Sequence, residues 1–266
     1  MSAAICTAAL APVFREPGVR GALETQWVCG ETAVVVSQDD AWLRLRLHQD
    51  GVEGWVHEGY LRLLDDGEAE RWRTRAAWSE GALLQMGTTR QWVPLRARVV
   101  LADGEVELPD GRLGRVTHGR IRAATRAQAE ARQMPPEEWA RTTFAGAPYL
   151  WGGVTPHGVD CSGLVQTTWM ARGVPLPRQA ADQALVGSEV PFAVMRAGDL
   201  LCFREDDGDM ITHVGVAGPD STVVHAALAA GGVVVQSWLP GQPAAALLAR
   251  LATVRRLDGL ESSARA

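Results

Sequence analysis

Lysine is absent from this chain: all 26 basic residues are arginine. A bias that complete reads as codon usage in a GC-rich genome rather than as a device of the fold. An excess of either charge is missing too, and a net charge of −5 gives no reason to expect nucleic acid or an acidic membrane as a partner. Cysteine is sparse. Cys6, Cys29, Cys161 and Cys202 form no CxxC pair and show no metal-ligand spacing, so neither a metal nor another cofactor is expected. They read as reduced thiols of a cytosolic protein, with a Cys6–Cys29 disulfide as the one alternative. No stretch approaches the roughly 20 apolar residues of a membrane span. The apolar run from Met1 to Leu10 lacks a basic leader, is broken by Pro12, and is followed by Arg15 and Glu16. A secretory signal is therefore not expected, and the cytoplasm is the expected location.

What is present suits a folded protein of two or three small domains: 266 residues, 47% apolar and 21% charged. Residues 1–65 read as short strands. Trp42 to Leu47 alternates, with Leu43, Leu45 and Leu47 on one face, and Gln49-Asp50-Gly51 marks the next turn. Residues 66–124 repeat that rhythm through Val99-Val100-Leu101, Val106-Glu107-Leu108 and Leu113-Gly114-Arg115-Val116, separated by Asp-Gly turns. Two small β-barrels, or one continuous all-β domain, would each fit. From Ala123 to Gly146 the pattern is helical, and Pro136-Glu137-Glu138 suits a first helical turn. The remainder, 125–260, reads as α+β: helices after Cys161 and around Ala180 to Leu185, then strands at 200–203, 213–216, 223–225 and 233–235, the makings of an antiparallel sheet.

Within that last segment Asp160-Cys161-Ser162-Gly163 places a cysteine between a turn-rich stretch and a helical one. A thiol there faces unpaired N–H groups and the positive end of the helix dipole, which favours thiolate. A lone cysteine is more often an inert small hydrophobe, but the polar flanks and Gly163 are unusual for a plain core position. His213 and His225 fall in strands joined by the loop Gly218-Pro219-Asp220-Ser221, so antiparallel pairing sets them side by side. One would take the thiol proton and the other would hold its ring, and spacing leaves open which is which. His48, His57, His118 and His157 read as surface residues.

Pro148-Tyr149-Leu150-Trp151-Gly152-Gly153, Gly158 to Gln166, Pro177-Arg178, Gly198-Asp199-Leu200-Leu201 and Thr212 to Val216 stand in the order of the motifs of NlpC/P60 cysteine peptidases, and the segment from about 130 to 257 resembles that family. The resemblance implies a papain-like catalytic domain that cleaves bacterial cell-wall peptides, with Cys161 as nucleophile, His213 as base and His225 as orienting residue. Glu24-Thr25-Gln26, Gly30-Glu31, Gly54-Trp55-Val56 and Tyr60-Leu61 resemble the bacterial SH3 domains of the γ-D-glutamyl-L-diamino acid endopeptidase subfamily. That implies an α+β NlpC/P60 domain preceded by two SH3-like barrels. It also implies recognition of a free N-terminal L-alanine amine by Glu24, Tyr60 and Asp160, with Ser162 a further substrate-binding candidate beside the nucleophile. Ala180 stands where some members place a substrate-contacting serine, and an aromatic is usual where Cys202 stands. Arg178 is assigned a structural role in preference to carboxylate binding.

The expected activity is hydrolysis of the γ-D-glutamyl–diamino acid bond in murein-derived peptides, as in wall-peptide recycling. Two rivals are an amidase or acyltransferase using the same Cys–His chemistry, and a wall-binding SH3 protein with a non-catalytic C-terminal domain. Transfer to an added amine separates the first. Pull-down by intact peptidoglycan, insensitive to Cys161→Ser, marks the second.

Overall fold

A computed structural model describes residues 2–206 and 208–258. The chain divides into two compact units, Met1–Ala127 and Gln128–Ala266. Residues 259 and 260, at the end of the expected catalytic domain, lie outside the described residues.

The first unit opens with seven strands: β1 (Ala3–Cys6), β2 (Leu10–Phe14), β3 (Leu23–Val28), β4 (Thr32–Asp39), β5 (Trp42–Leu47), β6 (Glu53–His57) and β7 (Leu61–Leu64). They form one antiparallel sheet in the order β3-β2-β6-β5-β4-β1-β7. The alternation read in β5 is its burial pattern: Leu43, Leu45 and Leu47 are buried and join Trp27, Val13 and Val56 in the core. Residues 66–75, expected to continue the strand rhythm, form helix α1 (Asp66–Arg75) instead. Its start is a capping box, in which Asp65 accepts from the Glu68 N–H at 2.7 Å and Glu68 accepts from the Asp65 N–H at 3.1 Å. Arg73 and Arg75 in its last turn suit the negative end of the dipole.

Four further strands close into a barrel: β8 (Ala76–Met86), β9 (Thr89–Ala102), β10 (Glu105–Glu107) and β11 (Leu113–Ala123), in the order β10-β11-β8-β9. The β8–β9 ladder shifts register between Trp78 and Glu80, and opposite that bulge Arg96 takes φ 78°, a left-handed conformation costly for a side-chain-bearing residue. What holds it there is a charge pair. Arg96 Nε donates to Glu31 Oε1 at 2.6 Å, and both side chains are sealed from solvent. Glu31 Oε2 also accepts from the Val28 N–H at 3.1 Å and from Gln49 at 2.9 Å. The Trp72 indole donates to the Gly30 carbonyl at 2.8 Å, and the Arg98 N–H to the Cys29 carbonyl at 2.8 Å. Sheet, helix and barrel thus meet around residues 29–31, and Ala3, Ile5, Leu64, Ala69, Trp72 and Val100 form the apolar core beside them. Cys6 and Cys29 are free buried thiols, so the alternative disulfide is not formed.

The helical stretch expected from 123 to 146 holds two helices, α2 (Ala124–Ala131) and α3 (Pro136–Thr143), the second starting at Pro136, where the sequence suits a first turn. The unit boundary falls within α2. In the second unit a short ribbon, β12 (Val154–Thr155) and β13 (Gly158–Val159), leads into α4 (Cys161–Met170), all ten residues of which are buried. After α5 (Ala180–Gln183) come β14 (Ser188–Glu189), β15 (Leu200–Arg204), β16 (Ile211–Gly218), β17 (Thr222–Ala227) and β18 (Gly232–Ser237), then α6 (Ala245–Leu248) and β19 (Leu251–Arg256). The sheet order is β14-β19-β15-β16-β17-β18. One face packs Leu200, Cys202, Val214 and Val216 against Cys161, Val165 and Trp169 of α4, and the other buries Leu201, Phe203, Val223 and Trp238. Among the described residues no helix is long and apolar enough to cross a membrane.

Glu31→Ala is expected to take from the buried Arg96, at its strained bulge, the nearer of two facing carboxylates, leaving Asp50 at 4.0 Å. The loss should be about 3–5 kcal/mol of unfolding free energy, read from urea melts of the full chain. A loss below about 1 kcal/mol, the scale of a surface pair, would show that the pair does not hold the unit together.

Candidate active site

Asp160 is the N-cap of α4, and the position of Cys161 follows from how it is held. Asp160 Oδ1 accepts from the Gly163 N–H at 2.7 Å, and Oδ2 from the Gly152 N–H at 2.7 Å. The carboxylate therefore caps the helix and ties down the loop before it. Arg178 meets it with two prongs, Nη1 to Oδ1 at 3.0 Å and Nη2 to Oδ2 at 2.6 Å, and is itself 2% exposed. Ser162 completes the cluster, accepting from Arg178 Nη1 at 2.8 Å and donating to Asp160 Oδ1 at 3.3 Å. Gly163 is required here, since a Cβ would fall 2.1 Å from the Gly153 carbonyl oxygen. Arg178 thus serves as a structural counter-charge. Any ligand amine reaching Asp160 would share a carboxylate that already accepts five hydrogen bonds.

The thiol of Cys161 faces β16. The ladder between β16 and β17 ends at Val216–Val224, so the backbone from Thr212 to Val214 is open on that side. Cys161 Sγ lies 4.0 Å from the Thr212 carbonyl oxygen and takes a hydrogen bond from the Val214 N–H. These two residues flank His213. His213 Nε2 lies 2.8 Å from His225 Nδ1, with the rings nearly perpendicular, and Phe203 packs on His213 from β15. His225 Nε2 in turn lies 3.1 Å from Gln236 Oε1. The backbone on either side of His213 thus meets the thiol, and His225 stands against His213 from the next strand.

Electrostatics here depart from the sequence-based expectation. Burial pushes the Cys161 thiol up to about 11, and Asp160 adds to the rise, while the N–H groups of Val214 and Ser162 pull the other way. Burial, with His225 adding to it, pushes His213 down to about 3. A helix terminus is worth about 0.3–1 kcal/mol, which does not outweigh taking a thiolate out of water. Both shifts favour the uncharged forms, a thiol and a neutral imidazole.

Tyr149, bridged to Val159 just ahead of Asp160, faces both Cys161 and Asp160, and burial followed by those two groups pushes its phenol up to about 12. A neutral phenol beside the thiol can donate to a developing negative charge. Its place in the aromatic loop before Cys161 is the signal that could have nominated it. Nothing in the spacing marks Gln236.

Glu24 and Tyr60 belong to the first unit. Glu24, on β3, pairs with Arg15 at 2.6 Å and is largely buried. Tyr60 ends a single 3-10 turn before β7, packs against the core of the first sheet, and its carbonyl accepts from the Thr7 N–H at 2.9 Å. Ala180, where some relatives carry serine, is buried in the core beside Cys161. The histidines read as unpartnered surface residues do have partners, and His118 Nδ1 lies 3.4 Å from the Thr117 hydroxyl. His48 lies 2.9 Å from the Thr32 hydroxyl, and His57 accepts from the Gly59 N–H at 3.1 Å. Among the described residues no group of three or more His, Cys, Asp or Glu is placed to hold a metal ion.

Comparison with known proteins agrees with this fold. Residues 146–247 match the NlpC/P60 family and residues 13–61 the bacterial dipeptidyl-peptidase Sh3 domain. A gamma-D-glutamyl-L-lysine dipeptidyl-peptidase of Bacillus subtilis is 49% identical over 74 residues, 27% of this chain and 25% of that protein. A protein of the same name from Bacillus cereus is 25% identical over 225 residues, 76% of this chain and 67% of that protein. The probable endopeptidase NlpC of Escherichia coli is 37% identical over 90 residues, 34% of this chain and 58% of that protein. The chain thus spans from a quarter to about two thirds of these relatives' lengths. Among solved structures, an NlpC/P60 family protein from Bacillus cereus superposes with TM-score 0.80 at 21% identity, covering 96% of this chain and 99% of that one, which shows a shared fold. The second strand module, the closed barrel, is matched by neither domain family. Fold, ordered motifs and domain matches together establish that this chain carries an NlpC/P60 peptidase-family domain preceded by a bacterial SH3 domain.

Proposed function

We propose that the protein is a cysteine endopeptidase that hydrolyses the γ-D-glutamyl–diamino acid bond of murein-derived peptides bearing a free N-terminal L-alanine. One observation carries this: the Cys161 thiol lies on the open edge of β16 between the two neighbours of His213, whose Nε2 is held by His225. His213 keeps Nδ1 for the thiol proton. As that proton moves to Nδ1, sulfur attacks the γ-carbonyl carbon. The N–H groups at the start of α4 and the Tyr149 phenol stabilise the oxyanion. The C–N bond then breaks, the His213 proton passes to the departing amine, and water attacking through the same base releases the acyl group from Cys161.

The substrate class is supported by the names of the Bacillus relatives, which specify removal of a dipeptide ahead of lysine, and by the dipeptidyl-peptidase type of the SH3 domain. An enzyme that counts two residues from an N-terminus must recognise that terminus. The family resemblance assigns this amine to Glu24, Tyr60 and Asp160, with Ser162 beside them. We read the barrel of residues 76–123 as a second, diverged SH3-like module, since its four strands close as a small barrel of that class would.

Purified protein is expected to release L-Ala-γ-D-Glu from L-Ala-γ-D-Glu-L-Lys or its diaminopimelate analogue, followed by mass spectrometry, and Cys161→Ala should abolish release. A folded wild type inert on both peptides would sink the assignment. N-acetylation of the alanine should remove activity; equal cleavage of free and acetylated peptide would refute the amine requirement. The pH profile offers a separate check. With His213 held near 3, the base stays neutral as pH falls through 6.5, so kcat/KM at pH 5 should lie within a few-fold of its value at pH 7.5. An ordinary histidine, with a pKa of about 6.5, would cost about 30-fold over that interval. A limb centred near 6.5 would show that burial does not hold the His213 pKa down.

A further inference from the structure

Three adjacent strands carry three polar side chains in a line. In the β17–β18 ladder His225 pairs with Val234 and Val223 with Gln236, so Gln236 sits diagonally across from His225. On the other side His225 reaches past Gly215, where an added Cβ would come within 3.1 Å of the His225 Cβ and 2.5 Å of Val223 Cγ2. That missing side chain leaves the ring free to approach His213. The line runs His213 Nε2 to His225 Nδ1 at 2.8 Å, then His225 Nε2 to Gln236 Oε1 at 3.1 Å.

We propose that Gln236 is a positioning residue that sets the tautomers of both histidines and thereby presents His213 Nδ1 as a lone pair to the thiol. The inference rests on the reading of Cys161 and His213 as nucleophile and base. A carboxamide oxygen only accepts, so the His225 nitrogen facing it, Nε2, carries the hydrogen. A neutral imidazole has one N–H, so His225 Nδ1 is an acceptor. The nitrogen facing that acceptor, His213 Nε2, must therefore carry hydrogen. His213 then has its lone pair at Nδ1, the one state in which it can take the thiol proton. Burial keeps both rings neutral, which this sequence of steps requires.

After proton transfer His213 carries hydrogen on both nitrogens and still donates Nε2–H to His225. No second proton moves, and Gln236 remains a neutral acceptor throughout. If the oxygen at position 236 is lost, His225 can equally place its hydrogen on Nδ1. His213 would then turn its lone pair toward His225 and its N–H toward the thiol, and such molecules cannot accept the proton.

The test uses the full chain labelled with 15N-histidine, with imidazole tautomers read from two-bond 1H–15N correlations at pH 7.5. In the wild type, both His213 and His225 are expected as the Nε2–H form. In Gln236→Leu, and in Gln236→Met, which is closer in length, both rings should become tautomer mixtures. On the free tripeptide kcat should fall about 10- to 100-fold, the scale of losing an orienting partner behind a reactive group, with KM within about twofold. Wild-type His213 in the Nδ1–H form would overturn the proposal. So would a folded Gln236→Met protein whose tautomers and kcat are unchanged, or one that loses kcat while its tautomers stay as in the wild type. Should the wild type fail to cleave the tripeptide while the tautomers behave as stated, the assigned reaction falls and the role of Gln236 in fixing the rings stands.

Discussion

The Asp160–Arg178 pair is the interaction on which the catalytic unit turns. A carboxylate sealed from water is tolerable only if its charge and lone pairs are met. Here they are met from three directions: the first turn of α4, the loop at Gly152, and the guanidinium of Arg178. The helix start, the preceding loop and the segment after α4 are therefore fixed relative to one carboxyl group, and Cys161 is the next residue along the chain. Sulfur makes weak hydrogen bonds, and its contact with the Thr212 carbonyl is 4.0 Å long. Its neighbour does the positioning.

The same burial that makes the scaffold rigid sets the ionisation of the site. Desolvation acts on Cys161 and His213 in opposite directions on the pKa scale but toward one result, neutrality. A helix N-terminus contributes a partial charge, and in a site this enclosed that partial charge modulates the thiol without deciding its state. In the proposed reaction the nucleophile is generated only when the proton has somewhere to go and the developing charge has donors around it. Selectivity for a positioned substrate over stray electrophiles would follow from that order of events.

Legibility in the sequence tracked how local each determinant is. β5 was readable because its period-2 pattern is its burial pattern, and α4 because turn residues and a polar cap precede an apolar run. Helix α1 was readable in principle from Asp65 and Glu68, a capping-box pair that the strand rhythm assigned to 66–124 passed over. The long strands β8 and β9 were only partly visible, since Gly81, Pro94 and the bulge at Arg96 interrupt the alternation. β19 lies between β14 and β15 in the sheet, yet its Leu-Ala-Thr-Val-Arg-Arg sequence carries no strong period. At the site, Cys161 and His213 stand in recognisable motifs, and His225 follows from a hairpin. The Arg178 fork spans 18 residues and Gln236 enters by way of a third strand. Neither separation leaves a trace in local pattern.

The junction at Gly30 bears on how the first unit could have been assembled. A Cβ at that position would lie 1.6 Å from the Arg98 carbonyl oxygen, and the next residue, Glu31, supplies the acid that Arg96 needs. Sheet and barrel are successive in the chain and would look exchangeable to recombination. Their interface is not generic: one side must offer glycine followed by glutamate, and the other an arginine on a left-handed bulge. Shuffling either module alone would bring a backbone clash and take the nearer carboxylate from the arginine, so a change on one side calls for a matching change on the other.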